Sequence, residues 1–201
     1  MKRTKIAALI AAIIVLTTTF VAPSVAWMMD KTEAVVNTFT YGDITIKLTE
    51  TDTGLDGDDD PKTNLYEMIV GQTIEKDPKV TVLKGSEKSW LMVRLEKQNE
   101  FDKYLEYTIA DGWTQLEDKD GKAVEGVYFR IVEKAEDDVV FGVIKDDTVN
   151  LRAEITKESL RDMVDLPKLN VTAYAVQYEK IDTAINAWEI INPADVEIVI
   201  E

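Results

Sequence analysis

The sequence predicts an all-β sandwich with two short helices, placed behind an N-terminal signal helix. Three observations carry this expectation. About eight to ten short stretches alternate apolar and polar residues with period two or are rich in β-branched residues. Turn signals such as Asp111-Gly112 and Asp118-Lys119-Asp120-Gly121 separate them. Only two segments, 157–164 and 183–191, have helical spacing and stop signals, so helices serve as crossovers or caps.

The chain opens with an address. Lys2-Arg3-Thr4-Lys5 is a positive start, residues 6–16 are an unbroken apolar run, and Ser24-Val25-Ala26 places small residues at the −3 and −1 positions of a signal peptidase site. Cleavage is therefore expected between Ala26 and Trp27. A spanning helix needs about 20 apolar residues, and Thr17-Thr18-Thr19 interrupts this run. After cleavage no stable membrane insertion is expected. The chain divides into a signal peptide (1–26), an N-terminal segment (27–37) and a β-sandwich domain (38–201).

The elements follow in order. Residues 27–37 are mixed in pattern but carry Trp27, Met28, Met29, Val35 and Val36, the expected assembly residues of a candidate donor strand through which subunits join by β-strand addition, with the tail Asp195–Glu201 as the rival donor. In residues 38–49, Phe39 and Tyr41 share one parity and Ile44, Ile46 and Leu48 the other, which places a bulge or bend at Gly42-Asp43. Residues 51–62 hold Gly, Pro and several Asp residues and form a loop. Asp56, Asp58 and Asp60, with Glu67 further on, mimic EF-hand ligand spacing, although Pro61 stands where that loop needs glycine. They are the candidate Ca²⁺ ligands.

Residues 80–83 predict a strand, and residues 84–87 a turn. Residues 90–96 predict a strand with one buried face (Leu91, Val93, Leu95) and one partly wet face (Trp90, Met92, Arg94). Residues 100–109 are ambiguous between helix and strand. Further strands are expected at 113–116, 127–132, 139–144 and 151–155, the last from Leu151, Ala153 and Ile155 alternating with Arg152 and Glu154. Thr156 caps a helix at 157–164. A long strand at 169–178 precedes a second helix, capped by Asp182 and striped by Ala184, Ile185, Trp188 and Ile191. Val196, Ile198 and Ile200 form a last strand or tail.

Composition narrows the chemistry. The net charge is −15, and loss of the signal peptide removes Lys2, Arg3 and Lys5 but no acid, leaving −18. Such a surface repels nucleic acid. There is no cysteine and no histidine, so thiol chemistry, the usual zinc ligands and Ser-His pairing are excluded. No HExxH, GxSxG, P-loop or GxGxxG is present. Trp90, Trp113 and Trp188 read as core or sheet-surface residues rather than sugar-stacking platforms.

The run Ala26-Trp27-Met28-Met29-Asp30-Lys31, followed by Asn37-Thr38-Phe39-Thr40-Tyr41-Gly42, resembles the start of the TasA/camelysin family. Lys76-Asp77-Pro78-Lys79-Val80-Thr81-Val82, Gly85-Ser86-Glu87, and Val171-Thr172-Ala173-Tyr174-Ala175-Val176-Gln177 with Asp182-Thr183-Ala184 and Ala187-Trp188 are similar to later family segments in the same order. Trp-Met-Met replaces the family's Tyr-Phe-Thr, and Gly71-Gln72 its Pro-Gly. The resemblance implies a jelly-roll-like sandwich, export with a dedicated signal peptidase, and kinship with biofilm matrix fibre subunits and a surface protein described as a metallopeptidase.

The expected function is thus a secreted structural subunit of an extracellular matrix fibre or surface layer of a Gram-positive bacterium. Its partners are other copies of itself, and signal peptidase during export. No enzyme activity and no cofactor are expected, with Ca²⁺ at the acidic loop as the exception held open. The alternatives are a monomeric secreted binding module or adhesin, and a camelysin-like surface peptidase, which the missing histidines disfavour.

Overall fold

The computed structural model of the chain describes residues 29–31, 44–55, 57 and 64–191. These residues are mostly β, in antiparallel sheets. The strands are β1 (Met29–Lys31), β2 (Ile46–Thr49), β3 (Thr73–Glu75), β4 (Lys79–Val82), β5 (Ser89–Gln98), β6 (Leu105–Ile109), β7 (Thr114–Glu117), β8 (Ala123–Val132), β9 (Val139–Gly142), β10 (Ile144–Leu151) and β11 (Lys168–Gln177). Three helices are described: α1 (Phe101–Tyr104), α2 (Lys157–Arg161) and α3 (Ala184–Ile191).

One sheet has the order β1-β11-β5-β8-β7. Two three-stranded sheets, β2-β4-β9 and β3-β10-β6, form the rest. They are nearly one layer. Val143 N–H donates to Pro78 at 3.0 Å and Lys76 N–H to Asp147 at 2.8 Å, bridging the gap where β3 gives way to β4 and β9 to β10. The main core lies between the layers. Ile46, Leu48, Val80 and Val82 meet Leu91, Val93, Leu95, Val171, Ala173 and Ala175. Alternation in β2 and β4 places those side chains on one face.

The five-stranded sheet has a second buried face. Trp90, Met92, Tyr174 and Val176 pack beneath Ala184, Ala187 and Trp188 of α3. Tyr174 and Trp188 meet edge to face at 5.4 Å, and the Trp90 indole donates to Ile181 O at 3.2 Å. This corrects the expectation of a partly wet face on β5: Trp90 through Val93 are all buried, because α3 covers the side facing away from the sandwich. Trp90, Trp113 and Trp188 are all buried. A third cluster gathers Ile74, Phe101, Tyr104, Leu105, Ile144, Val149 and Ile155 around β10.

Other differences have local causes. Residues 100–109 divide into α1 and β6. The strand expected at 151–155 ends at Leu151, because Ile155 N–H turns back to Arg152 O at 3.0 Å and leads into α2. The Thr156 cap is present as a capping box with Ser159, and α2 ends at Arg161. Thr183, not Asp182, caps α3, accepting from Asn186 N–H at 3.3 Å. In place of a strand at 139–144 there are β9 and the longer β10, whose Lys145-Asp146-Asp147-Thr148 run has no apolar alternation. Phe39, Tyr41 and residues 196–200 lie outside the described residues.

Candidate assembly edge

A β-strand exposes its N–H and C=O groups on both sides, so an edge strand lacking a full-length neighbour can bind another strand. The two rims of the five-stranded sheet differ. At one rim β7 is four residues long and is tied down by the Gln115 amide, which donates to Val124 O at 2.7 Å and Val127 O at 2.9 Å. At the other, β11 runs ten residues and pairs along its whole length with β5, from Lys168↔Gln98 to Gln177↔Ser89. On its outer side it meets only β1 among the described strands, in the antiparallel register Met29↔Val176, Asp30↔Ala175 and Lys31↔Tyr174.

The described residues of β1 lie beside 174–176 of β11. Beside residues 168–172 no described strand lies on the outer side. Along that stretch Val171 points into the main core with Leu169 packed against it, while Lys168 and Asn170 are exposed. The exposed Lys168 is the kind of charge that discourages casual edge pairing.

Of the assembly residues singled out from sequence, Met29 is described, through its backbone register with Val176. Ala26, Trp27, Met28, Val35 and Val36 lie outside the described residues, as do Asp56, Asp58 and Asp60. Glu67 is exposed on an irregular segment. Among the described residues no group of three or more Asp or Glu side chains is placed to hold a metal ion. No described helix is long and apolar enough to cross a membrane.

A partly buried polar cluster was not legible in sequence. Lys76 and Glu50 form a 2.7 Å ion pair with side chains only 10% and 15% exposed. The Tyr66 hydroxyl donates to the same Glu50 oxygen, and the Lys76 ammonium stands 4.9 Å over the Tyr66 ring. Burial first, then the Glu50 carboxylate, push the Tyr66 phenol far above its ordinary pKa. Beside it, Asp77 accepts from Thr51 N–H and Thr51 Oγ1, each at 2.9 Å, and from Lys79 at 2.8 Å. Burial alone would raise the Asp77 pKa, but these donors and the Lys79 charge outweigh it and hold the carboxyl below its usual value. Perturbed groups often mark active sites. Here each carboxylate has its donors, and the contacts join the start of the 50–77 excursion to its end. The cluster is a clasp on a long loop.

No protein-family model matches the chain, and no curated protein or solved structure shows significant similarity to it.

Proposed function

We propose that this chain is an exported structural protein, a subunit of an extracellular matrix fibre or surface layer of a Gram-positive bacterium, assembled by β-strand addition. In this reading it is not an enzyme and needs no cofactor. The observation that carries the proposal is that Met29–Lys31, from the segment expected to follow signal cleavage, pairs with β11 at the rim of the five-stranded sheet. That segment is rich in apolar residues, with Trp27, Met28, Met29, Val35 and Val36 within eleven positions, 27–37. Such a terminus frays unless something holds it.

The intrachain pairing of Met29–Lys31 with β11 is the state before assembly. In the assembled state the same segment of a neighbouring copy takes the place beside β11 and extends along it. Donation of this kind is heterologous and does not close on itself, so it propagates into a filament. The jelly-roll expectation belongs to this reading. It is supported by the first and last described strands lying side by side in one sheet, and by passage of the chain between layers at β4–β5 and β8–β9.

Electron microscopy of the purified exported protein tests the proposal, with and without deletion of residues 27–36 and with the Ala26 cleavage site retained. The expected result is filaments from the intact protein and a folded, soluble, filament-free deletion product. Monodisperse particles from the intact protein would favour a binding module. Filaments of unchanged appearance after the deletion would exclude this segment as the donor.

A further inference from the structure

Arg130 is a cation with no counter-ion among the described residues of a strongly acidic molecule. It lies on β8, with its guanidinium carbon 3.9 Å from the Phe141 ring centroid and 5.3 Å from that of Trp113. Among the described residues its side chain makes no ion pair and no hydrogen bond. The acid on the adjoining turn, Asp111, is paired with Lys145 at 3.7 Å instead. Burial lowers the Arg130 pKa from its ordinary value, although a guanidinium stays charged at any ordinary pH.

The surroundings leave its donors usable. The guanidinium lies over the faces of both rings, and such contacts do not use up its N–H donors. The buried side-chain nitrogens and oxygens that lack partners are Ser89 Oγ, Arg152 Nε and Trp188 Nε1 among the described residues. The Arg130 nitrogens are not among them, and the residue as a whole is half-buried. The turn beside them ends in Gly112, at φ +86°, and a Cβ there would stand 2.9 Å from Arg130 Nη2. Glycine thus lets the guanidinium pack against the turn backbone, which fixes its position. The two walls are themselves fixed. The Trp113 indole donates to Gly142 O at 2.8 Å across the two layers, and Phe141 is held in register with Val80.

We infer that Arg130, between Trp113 and Phe141 with Gly112 at its edge, is a receptor for a carboxylate group. A planar guanidinium with free parallel N–H bonds matches a carboxylate in two-point fashion. Phosphate shares that geometry, but its higher charge is repelled more strongly by a surface of net charge −15. A carboxylate can come from a free small acid or from an acidic side chain of a second copy of the chain.

The test is side-chain NMR of the purified protein. Arg130 Nε–H is assigned as the resonance missing from R130K. Sodium acetate is then titrated against sodium chloride at matched ionic strength, at two protein concentrations. The expected result is a saturable shift of the Arg130 resonance in acetate, absent in chloride and absent for the exposed Arg161. A shift that grows with protein concentration and is reversed by acetate assigns the carboxylate to a neighbouring copy. Saturation independent of protein concentration assigns it to a small acid. An Arg130 resonance that stays still, or moves linearly in step with Arg161, would overturn the inference and leave the residue a stacked plug at the end of the core.

Discussion

At Gly126 one hydrogen atom decides whether two strands can approach. Its φ is +69°, and a Cβ there would lie 2.2 Å from the carbonyl oxygen of Leu95. That oxygen belongs to β5, the central strand, and cannot move aside cheaply. Gly126→Ala therefore combines a backbone clash with a left-handed conformation that alanine resists. It is expected to cost about 2–4 kcal/mol, read as a lower urea midpoint with an unchanged slope. An unchanged midpoint would show that the two strands are not pressed together there. Asp77 makes a different prediction. Its carboxyl titrates below the unfolded value despite burial, owing to Lys79 and the two Thr51 donors. A depressed folded pKa contributes stability that is present above the unfolded pKa, about 3.9. That contribution is lost as pH falls through the lower folded value. Asp77→Asn should thus be less stable near neutrality and show a flatter loss of stability below about pH 4, measured by denaturation at a series of pH values. Parallel acid limbs for the two proteins would count against the clasp.

Elements explain which parts of the fold were legible and which were not. Ile44, Ile46 and Leu48, with Val80 and Val82, are buried on one face just as their parity suggests, because each faces a single core. The turn at Asp118–Gly121 is equally direct, with Gly121 N–H donating to Asp118 O at 3.0 Å. The second face of β5 is not legible because α3 covers it, and no local pattern announces what lies above a sheet. β10 escaped notice because Asp146 and Asp147 both have positive φ and break the strand with a bulge, where alternation carries no signal. Leu151, Ala153 and Ile155 looked like a strand, yet Ile155 reaches the third cluster through a turn. At the candidate edge the segment 27–37 could be chosen by composition, but its partner could not. That β11 rather than another strand receives Met29–Lys31 is a property of the sheet order. Arg130 gave no signal, since its neighbours Trp113 and Phe141 are brought together only by the packing of the two layers. The weight of α3 can be measured. Trp188→Ala removes a 2% exposed side chain packed edge to face against Tyr174 and should cost about 3–5 kcal/mol. Calorimetry checks this, and a melting temperature within a degree or so of the parent protein's would mean that α3 is not part of the cooperative unit.

For the whole molecule, the net charge opposes the proposed assembly. Each exported subunit would carry −18, and strand addition brings two such bodies into contact. The pairing itself is made of backbone hydrogen bonds and apolar contacts, which salt leaves nearly unchanged. The approach is governed by like-charge repulsion, whose range shrinks from about 30 Å at 0.01 M salt to about 10 Å at 0.1 M. Filament elongation should therefore accelerate several-fold as NaCl rises across that range, and then level off once screening is complete. Light scattering from seeded reactions at fixed protein concentration measures it. The same experiment interrogates the acidic loop. CaCl₂ at matched ionic strength should give nearly the same rate if the ions act only by screening. A larger acceleration in Ca²⁺ that disappears when Asp56, Asp58 and Asp60 are changed together to Asn would assign a binding site to that loop. Elongation that slows as NaCl is added would mean that the subunits are joined by pairing of opposite charges, and strand addition as the governing contact would have to be abandoned.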